Sequence, residues 1–156
     1  MERIEVDYPY SRLSRRDAMD GLGLGKGSHQ VILDSRSVAR MAGVHLELRR
    51  VIYRASEITQ LDFIITEGLR DISRQKLLVA AGASKTLLSR HITGHAVDLA
   101  AKVGGEIRWD WPLYHLLAAA VKEAARLEGV PIEWGGDWRG GFKDGPHFQL
   151  PSKEYP

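Results

Sequence analysis

An aspartate inside an apolar run constrains the fold of this chain more than any other feature. Asp98 lies in the sequence AVDLA at residues 96–100, whose β-branched and small side chains favour a strand. In that strand Asp98 shares its face with Ala96 and Ala100, and the opposite face is apolar. Because burying a carboxylate without a partner costs several kcal/mol, Asp98 requires a cation or a metal ion beside it.

Residues 89–98, with the sequence SRHITGHAVD, place two histidines ahead of this strand. His91 and His95 are four positions apart, which on a helix would put both on one face. Gly94 and the β-branched residues around it disfavour a helix. A turn near Gly94 that leads into a strand over 96–100 therefore fits better, and His91 then lies on the approach to that strand.

A second segment, residues 144–150 with the sequence DGPHFQL, also leads from turn-forming residues into a strand. It runs from a Gly-Pro turn into a short strand pattern, in which Phe148 points into a core and His147 points to the opposite side. If the two strands pair, His147 lies beside Asp98. His91 can then supply a third ligand to the same place.

These side chains suit a divalent metal, although simpler roles stay open. His91, Asp98 and His147 would leave a fourth position free on a tetrahedral zinc, which is typical of a catalytic site. Asp144, three residues before His147, is then placed as a general base. The alternative is that each histidine is a surface or hydrogen-bonded core residue, and that Arg70 is the partner of Asp98 instead of a metal.

Composition limits the classes of function. The chain has 156 residues, 44% of them hydrophobic, which suits one soluble domain with a core. It has no cysteine, so any metal must use nitrogen and oxygen ligands. It also lacks an apolar run of about 18 residues and an apolar stretch near its first residue, so we expect neither a transmembrane segment nor a signal peptide. The net charge of +2 is modest, and we expect no specific nucleic-acid binding.

Residues 1–30 are polar and glycine-rich, and we interpret them as a partly flexible N-terminal extension of a domain at 31–156. The glycines at 21–28 miss the spacing of a phosphate-binding loop, and no apolar strand precedes them. A short helix over 11–19 is expected. We assign no chemistry to this extension.

The periodicity of the remaining chain predicts an α+β fold with a small, mainly antiparallel sheet and helices packed on it. The run 63–66 is expected to form a buried strand, and Gly104 and Gly105 a hairpin turn. An apolar stripe that includes Leu127 should bury the last helix and leave His115 facing solvent. Helices are predicted at residues 34–43, 44–55, 73–81 with Ser73 as its cap, and 110–129.

Arg70 is the cation that we expect in the pocket, directly after the strand over 63–66. Its planar guanidinium suits a ligand carboxylate. A surface salt bridge to Glu67 or Asp71 is the alternative. Trp134 and Trp138, which flank a glycine turn, could form a groove wall or pack in the core.

The pattern SxHxxGxAxD at 89–98 followed by DxxH at 144–147 resembles the zinc peptidases of the D-Ala-D-Ala carboxypeptidase and VanY group, in particular the phage endolysins that are L-alanyl-D-glutamate endopeptidases. The resemblance runs from about residue 33 to 150. It also includes TEGLR at 66–70, Gln75, Gly82 and WGGDW at 134–138.

The resemblance implies a fold like that of D-Ala-D-Ala peptidases and Hedgehog proteins, and a monomer that cuts peptidoglycan stem peptides between L-alanine and D-glutamate during host lysis. Such an enzyme is made in the host cytoplasm and reaches the cell wall after release across the inner membrane. The resemblance also implies roles for individual residues: Zn2+ ligation by His91, Asp98 and His147, catalysis by Asp144, and substrate binding by Arg70 and Ser89.

Two other functions compete with this interpretation. A D-Ala-D-Ala carboxypeptidase is the alternative among enzymes, but related carboxypeptidases and dipeptidases resemble one another in carrying Glu where this chain has Asp144. A non-catalytic, zinc-containing module that binds the cell wall is the alternative outside enzymes. Asp144 favours an enzyme, since a structural metal site needs no base beside an open position.

Overall fold

The structure, a computed structural model, describes residues 31–156, so the predictions for residues 1–30 lie outside it. Within this range, no helix combines the length and the apolar character that crossing a membrane requires. The elements in chain order are α1 (Ser35–Arg40), α2 (Leu46–Ile58), β1 (Asp62–Glu67), α3 (Ile72–Ala80), β2 (Ala96–Val103), β3 (Glu106–Arg108), α4 (Trp111–Glu128), β4 (Glu133–Trp134), a 3-10 turn (Gly135–Asp137) and β5 (His147–Gln149).

The strands form one sheet in the order β1-β2-β5-β4, and β3 pairs with the far end of β2. Each of these pairs is antiparallel, which confirms the predicted α+β class. β5 follows all the other strands in the sequence, yet it lies between β2 and β4. Asp98 of β2 is directly opposite His147 of β5, as the two segments predicted.

The core lies between the sheet and the helices α2 and α4, which pack on each other. The apolar face of α2 is buried, with Leu48 and Ile52 fully inaccessible. In α4 the prediction for Leu127 is wrong, because 49% of that residue is exposed. The buried face of α4 includes Tyr114 and the small Ala118, and it is therefore rotated from the predicted stripe. Leu127 lies at the edge of this face.

Short polar side chains cap the N-termini of α1 and α3. Asp34 caps α1, where its carboxylate accepts a hydrogen bond from the Ser37 amide at 2.7 Å. The predicted cap of α3, Ser73, is wrong. Asp71 caps this helix and accepts from the Arg74 amide at 2.8 Å, since its negative charge also interacts favourably with the helix N-terminus.

The turn before β2 depends on Gly94. Its φ is +75°, and a Cβ at this position would lie 2.3 Å from the carbonyl oxygen of Gly43. The carbonyl of Gly94 in turn accepts a hydrogen bond from the His45 amide at 2.8 Å. The turn that carries His91 therefore lies directly against the start of α2.

Replacement of Gly94 by alanine should lower the free energy of unfolding by about 1–3 kcal/mol more than replacement of Gly82. The two glycines have φ values of +75° and +74°, so both substitutions introduce similar backbone strain. A Cβ at Gly82, however, would meet nothing within 4 Å. Chemical denaturation of Gly94→Ala and Gly82→Ala measures the difference, and equal losses would contradict the close approach.

Candidate metal centre and catalytic cleft

Strand β5 and the turn before β2 bring two of the predicted site residues, His147 and His91, to Asp98. His147 lies across from Asp98 in the sheet, and His91 reaches the same place from the turn. The three side chains offer ligand atoms that all lie within 4.8 Å of one another. His91 and His147 are only 1% and 5% exposed. The three predicted ligands thus lie close together, and both imidazoles are buried.

Hydrogen bonds determine which nitrogen of each imidazole carries its proton. His91 Nδ1 lies 2.8 Å from the carbonyl oxygen of Gly68, which can only accept, so Nδ1 donates. His147 Nε2 donates to Gln149 Oε1 at 2.8 Å. The orientation of the Gln149 amide is set by Glu133, whose carboxylate accepts from Gln149 Nε2 at 2.8 Å. The other nitrogens, His91 Nε2 and His147 Nδ1, therefore keep their lone pairs.

Those two lone pairs converge on Asp98. His91 Nε2 and His147 Nδ1 lie 3.2 Å from each other, and each lies 3.2 Å from Asp98 Oδ1. Burial would raise the pKa of Asp98, but its contacts with His147 and His91 hold that pKa well below its usual value. Burial likewise opposes the charged form of His147, yet Asp98 raises the pKa of this imidazole. Both shifts mean that positive charge is favoured here, and two imidazole nitrogens with one carboxylate fit a divalent metal such as zinc.

Asp144 lines the cleft beside this group and is half-buried. Its backbone amide donates to the carbonyl of Gly135 at 3.0 Å, and a Cβ at Gly135 would lie 2.3 Å from the Asp144 carbonyl oxygen. The glycine turn after β4 thus sets the position of Asp144. Burial, followed by the negative charge of Asp98, raises the pKa of Asp144. A raised pKa brings a carboxylate towards the range that suits a general base at neutral pH.

Arg70 lies beside the same group, but its guanidinium already has protein partners. Nε and Nη2 donate to the two carboxylate oxygens of Glu67 at 2.7 and 2.5 Å, and Nη1 donates to Gln75 Oε1 at 2.7 Å. Nη2 also lies 3.9 Å from Asp98 Oδ2. The salt bridge to Glu67 that was the alternative for Arg70 is therefore present, although it is buried rather than on the surface. A substrate-binding role for Arg70 stays a prediction.

Gln75 is the residue of the site whose role the sequence did not indicate. It is fully buried, and besides accepting from Arg70 it donates through Nε2 to Ser84 Oγ at 2.8 Å and to the carbonyl of Thr86. It thereby joins Arg70 to the segment that forms one side of the cleft. Gln75 is one of the positions that carry the family resemblance, and it is the one buried side chain of α3.

The cleft has a volume of about 400 Å³, and its lining includes His91, Asp98 and His147, with aromatic rings along one wall. The ring of Trp138 lies 5.1 Å from that of His147 and 6.2 Å from that of Phe142. Trp134, by contrast, is buried in the core, where its indole N–H donates to the carbonyl of Gly145 at 2.7 Å. Of the two tryptophans, Trp138 therefore forms the groove wall and Trp134 packs inside.

Of the other residues that the sequence analysis singled out, some line the cleft and others lie outside it. Ser89 lines the cleft, and its Oγ accepts from the His91 amide at 3.3 Å. His95 lies outside the cleft lining, with Nδ1 2.8 Å from Thr93 Oγ1. His115 is exposed on α4, as predicted. Ser89, Arg70 and Asp144 thus line the same cleft as the three predicted metal ligands.

Comparison with known proteins places this fold and cleft among the peptidases. The profile of the family described as phage L-alanyl-D-glutamate peptidase matches residues 30–150. The L-alanyl-D-glutamate peptidase of Escherichia phage T5 is 31% identical over 128 residues, which cover 73% of this chain and 93% of that protein. The chain belongs to this family of phage peptidases, and it is an enzyme.

Two further relatives agree with this assignment. The L-alanyl-D-glutamate peptidase of Listeria phage A118 is 36% identical over 100 residues, which cover 64% of this chain but only 34% of that longer protein. The crystal structure of the Serratia marcescens L-Ala D-Glu endopeptidase ChiX superposes with a TM-score of 0.76 at 48% identity, and the match covers 80% of this chain and 94% of that one.

Proposed function

We propose that this peptidase hydrolyses the L-alanyl-D-glutamate bond of peptidoglycan stem peptides and depends on zinc held by His91, Asp98 and His147. The observation that carries the proposal is the convergence of His91 Nε2 and His147 Nδ1 on Asp98 Oδ1, at 3.2 Å each, in a buried position beside Asp144. The names of the phage relatives and of ChiX support the choice of bond.

The residues of the cleft have distinct parts in this reaction. His91, Asp98 and His147 would hold the zinc ion, which would supply a Lewis acid for the water and for the scissile carbonyl group. Asp144 takes a proton from the attacking water and delivers it to the leaving nitrogen, and its raised pKa suits both transfers. Gly68 and Gln149 hold the imidazoles of His91 and His147 in the tautomers that direct lone pairs into the site.

Ser89 and Arg70 complete the arrangement, Ser89 as a group that contacts the substrate and Arg70 as a group that acts through its charge. Ser89 Oγ accepts from a backbone amide, so its hydroxyl hydrogen stays available for a peptide carbonyl in the cleft. Arg70 lies deeper, and its ion pair with Glu67 keeps the guanidinium in one orientation. From there it adds positive potential near Asp98 and Asp144.

Digestion of purified sacculi tests the proposal. The zinc-loaded protein should release stem peptides with new amino termini on D-glutamate, and mass spectrometry identifies them. A chelator should abolish this release, and added zinc should restore it, because the metal supplies the Lewis acid of the proposed reaction. Calcium supplied in place of zinc is a control, since it prefers a larger set of oxygen ligands.

Two other outcomes would favour the competing functions. Release of free D-alanine, with D-glutamate still linked to L-alanine, would favour a carboxypeptidase. Binding to sacculi without cleavage of any bond, by folded and zinc-loaded protein, would favour the non-catalytic module.

We propose further that the enzyme acts in host lysis, after synthesis in the cytoplasm and release across the inner membrane. The phage origin of the named relatives supports this part. Turbidity of cells that express the protein, followed before and after the inner membrane is permeabilised, tests it. The monomeric state stays a prediction, which the mass in solution would check.

A further inference from the structure

The positive charges of the cleft are unequally available to a substrate. The cationic side chains that line it are Arg70, Lys85 and Arg90. The guanidinium of Arg70 is paired with Glu67 and hydrogen-bonded to Gln75. Arg90 donates through Nη2 to the backbone carbonyls of Leu150 and Tyr155, at 3.0 and 2.7 Å. Both guanidinium groups are therefore committed to the protein itself.

Lys85 has no such partner among residues 31–156. It forms no ion pair with a carboxylate of this range, and its Nζ lies instead 5.0 Å from the centroid of the Phe142 ring. Lys85 and Phe142 are exposed and belong to different segments of the cleft lining. A cation–π contact at an exposed site is weaker than a charge-assisted hydrogen bond to a carboxylate. The ammonium group can therefore leave the ring when an anionic ligand enters.

The backbone that carries Lys85 is held on both sides. Gln75 Nε2 donates to Ser84 Oγ and to the carbonyl of Thr86, the residues that flank Lys85. The amide of Ser84 is also bound, to the carbonyl of Leu78 at 3.1 Å. The lysine side chain thus extends from a fixed point at the rim of the cleft, and binding a ligand requires only changes of its rotamer.

The one unpaired carboxylate among the described cleft residues favours a further cation at the rim for an anionic substrate. Glu67 is neutralised by Arg70 and Arg74, whereas Asp144 is left without an ion pair among the described residues. A substrate carboxylate that approaches Asp144 is repelled by it. An ammonium group at the rim offsets this repulsion and adds a directional contact.

We propose that Lys85 binds the free carboxylate of the D-glutamate residue next to the scissile bond. In a stem peptide D-glutamate is linked onward through its side-chain carboxyl, which leaves its α-carboxylate free. The enzyme then prefers stem peptides in which this group is a carboxylate over those in which it is amidated. This inference rests on the proposed function and adds a specificity-determining residue to it.

Kinetics on a matched pair of synthetic stem peptides test the inference. One peptide carries the α-carboxylate of D-glutamate, and the other carries the corresponding carboxamide. Lys85→Met should raise KM for the carboxylate peptide about tenfold with little change in kcat, and should leave KM for the carboxamide peptide unchanged. Lys76→Met removes the same charge from the exposed side of α3, outside the cleft lining, and should alter neither value.

Two results would overturn the inference. An equal rise in KM for both peptides would mean that Lys85 acts on the shape of the rim, and no change for either would mean that it does not contact the substrate. Calorimetry in the Asp144→Asn background gives the same comparison as affinities, without turnover. If the wild-type protein cuts neither peptide, the proposed function fails. A carboxylate preference in affinity that depends on Lys85 would then still support the binding site, and its absence would refute it.

Discussion

Asp144→Asn is expected to lower kcat by about 10²–10⁴ while the protein keeps its metal and its fold. The amide has the size of the carboxylate but cannot take up the proton of the attacking water. Asp144 contributes no ligand atom to the group of three, and its backbone contact with Gly135 does not involve the side chain. Steady-state kinetics on a synthetic stem peptide, with metal content and circular dichroism of the same preparation, measure the effect.

Asp137→Asn provides the matched control for this prediction. Asp137 lies on the turn after β4, but its side chain is 58% exposed and pairs with Lys122 at 2.5 Å. Its loss should leave kcat unchanged. A kcat of Asp144→Asn within a few-fold of the wild-type value would remove Asp144 from its proposed role as the base.

His91→Gln is expected to abolish both the bound metal and the peptidase activity, whereas His95→Gln should retain them. The two histidines are four positions apart in one segment, and the sequence alone allows both to face one site. In the structure only His91 directs a lone pair towards Asp98, while His95 is engaged with Thr93. Metal content after dialysis and the rate of stem-peptide cleavage measure the difference.

His91 also donates to the carbonyl of Gly68, so its replacement could loosen the turn itself. His147→Gln separates the two effects, because His147 belongs to β5 and not to this turn. Both His91→Gln and His147→Gln should lose the metal. Retention of metal by either variant, or its loss from His95→Gln, would show that the ligand set is wrong.

The proximity of His91, Asp98 and His147 could be predicted from the sequence because the patterns that indicate it are local. Gly94 marks a turn, and the alternation of residues around Asp98 and His147 indicates which side of each strand they share. One further assumption, that the two short strands are neighbours, was enough to place the carboxylate beside the imidazole. The register of β2 and β5 confirms that assumption.

The surroundings of Arg70 could not be predicted in the same way. Glu67 lies three residues before Arg70, a spacing that indicates an ordinary surface pair. The pair is buried because α3 and the turn around His91 cover it, and the amide of Arg70 donates to the carbonyl of His91 at 3.0 Å. Whether an ion pair is exposed depends on such tertiary packing, which no local pattern contains. The same applies to the contact of Lys85 with Phe142.

The place of β5 in the sheet also affects when the proposed site is complete during folding. Strand β5 lies between β2 and β4, and its contact with β2 joins His147 to Asp98 across 49 positions of the sequence. Closing a loop of this length costs chain entropy before any contact compensates it, so we expect this strand to enter the sheet late in folding. Asp144 and His147 arrive with it. A chain in which β5 has not yet joined the sheet therefore lacks two residues of the proposed centre, and we expect no hydrolysis of stem peptides before this strand pairs.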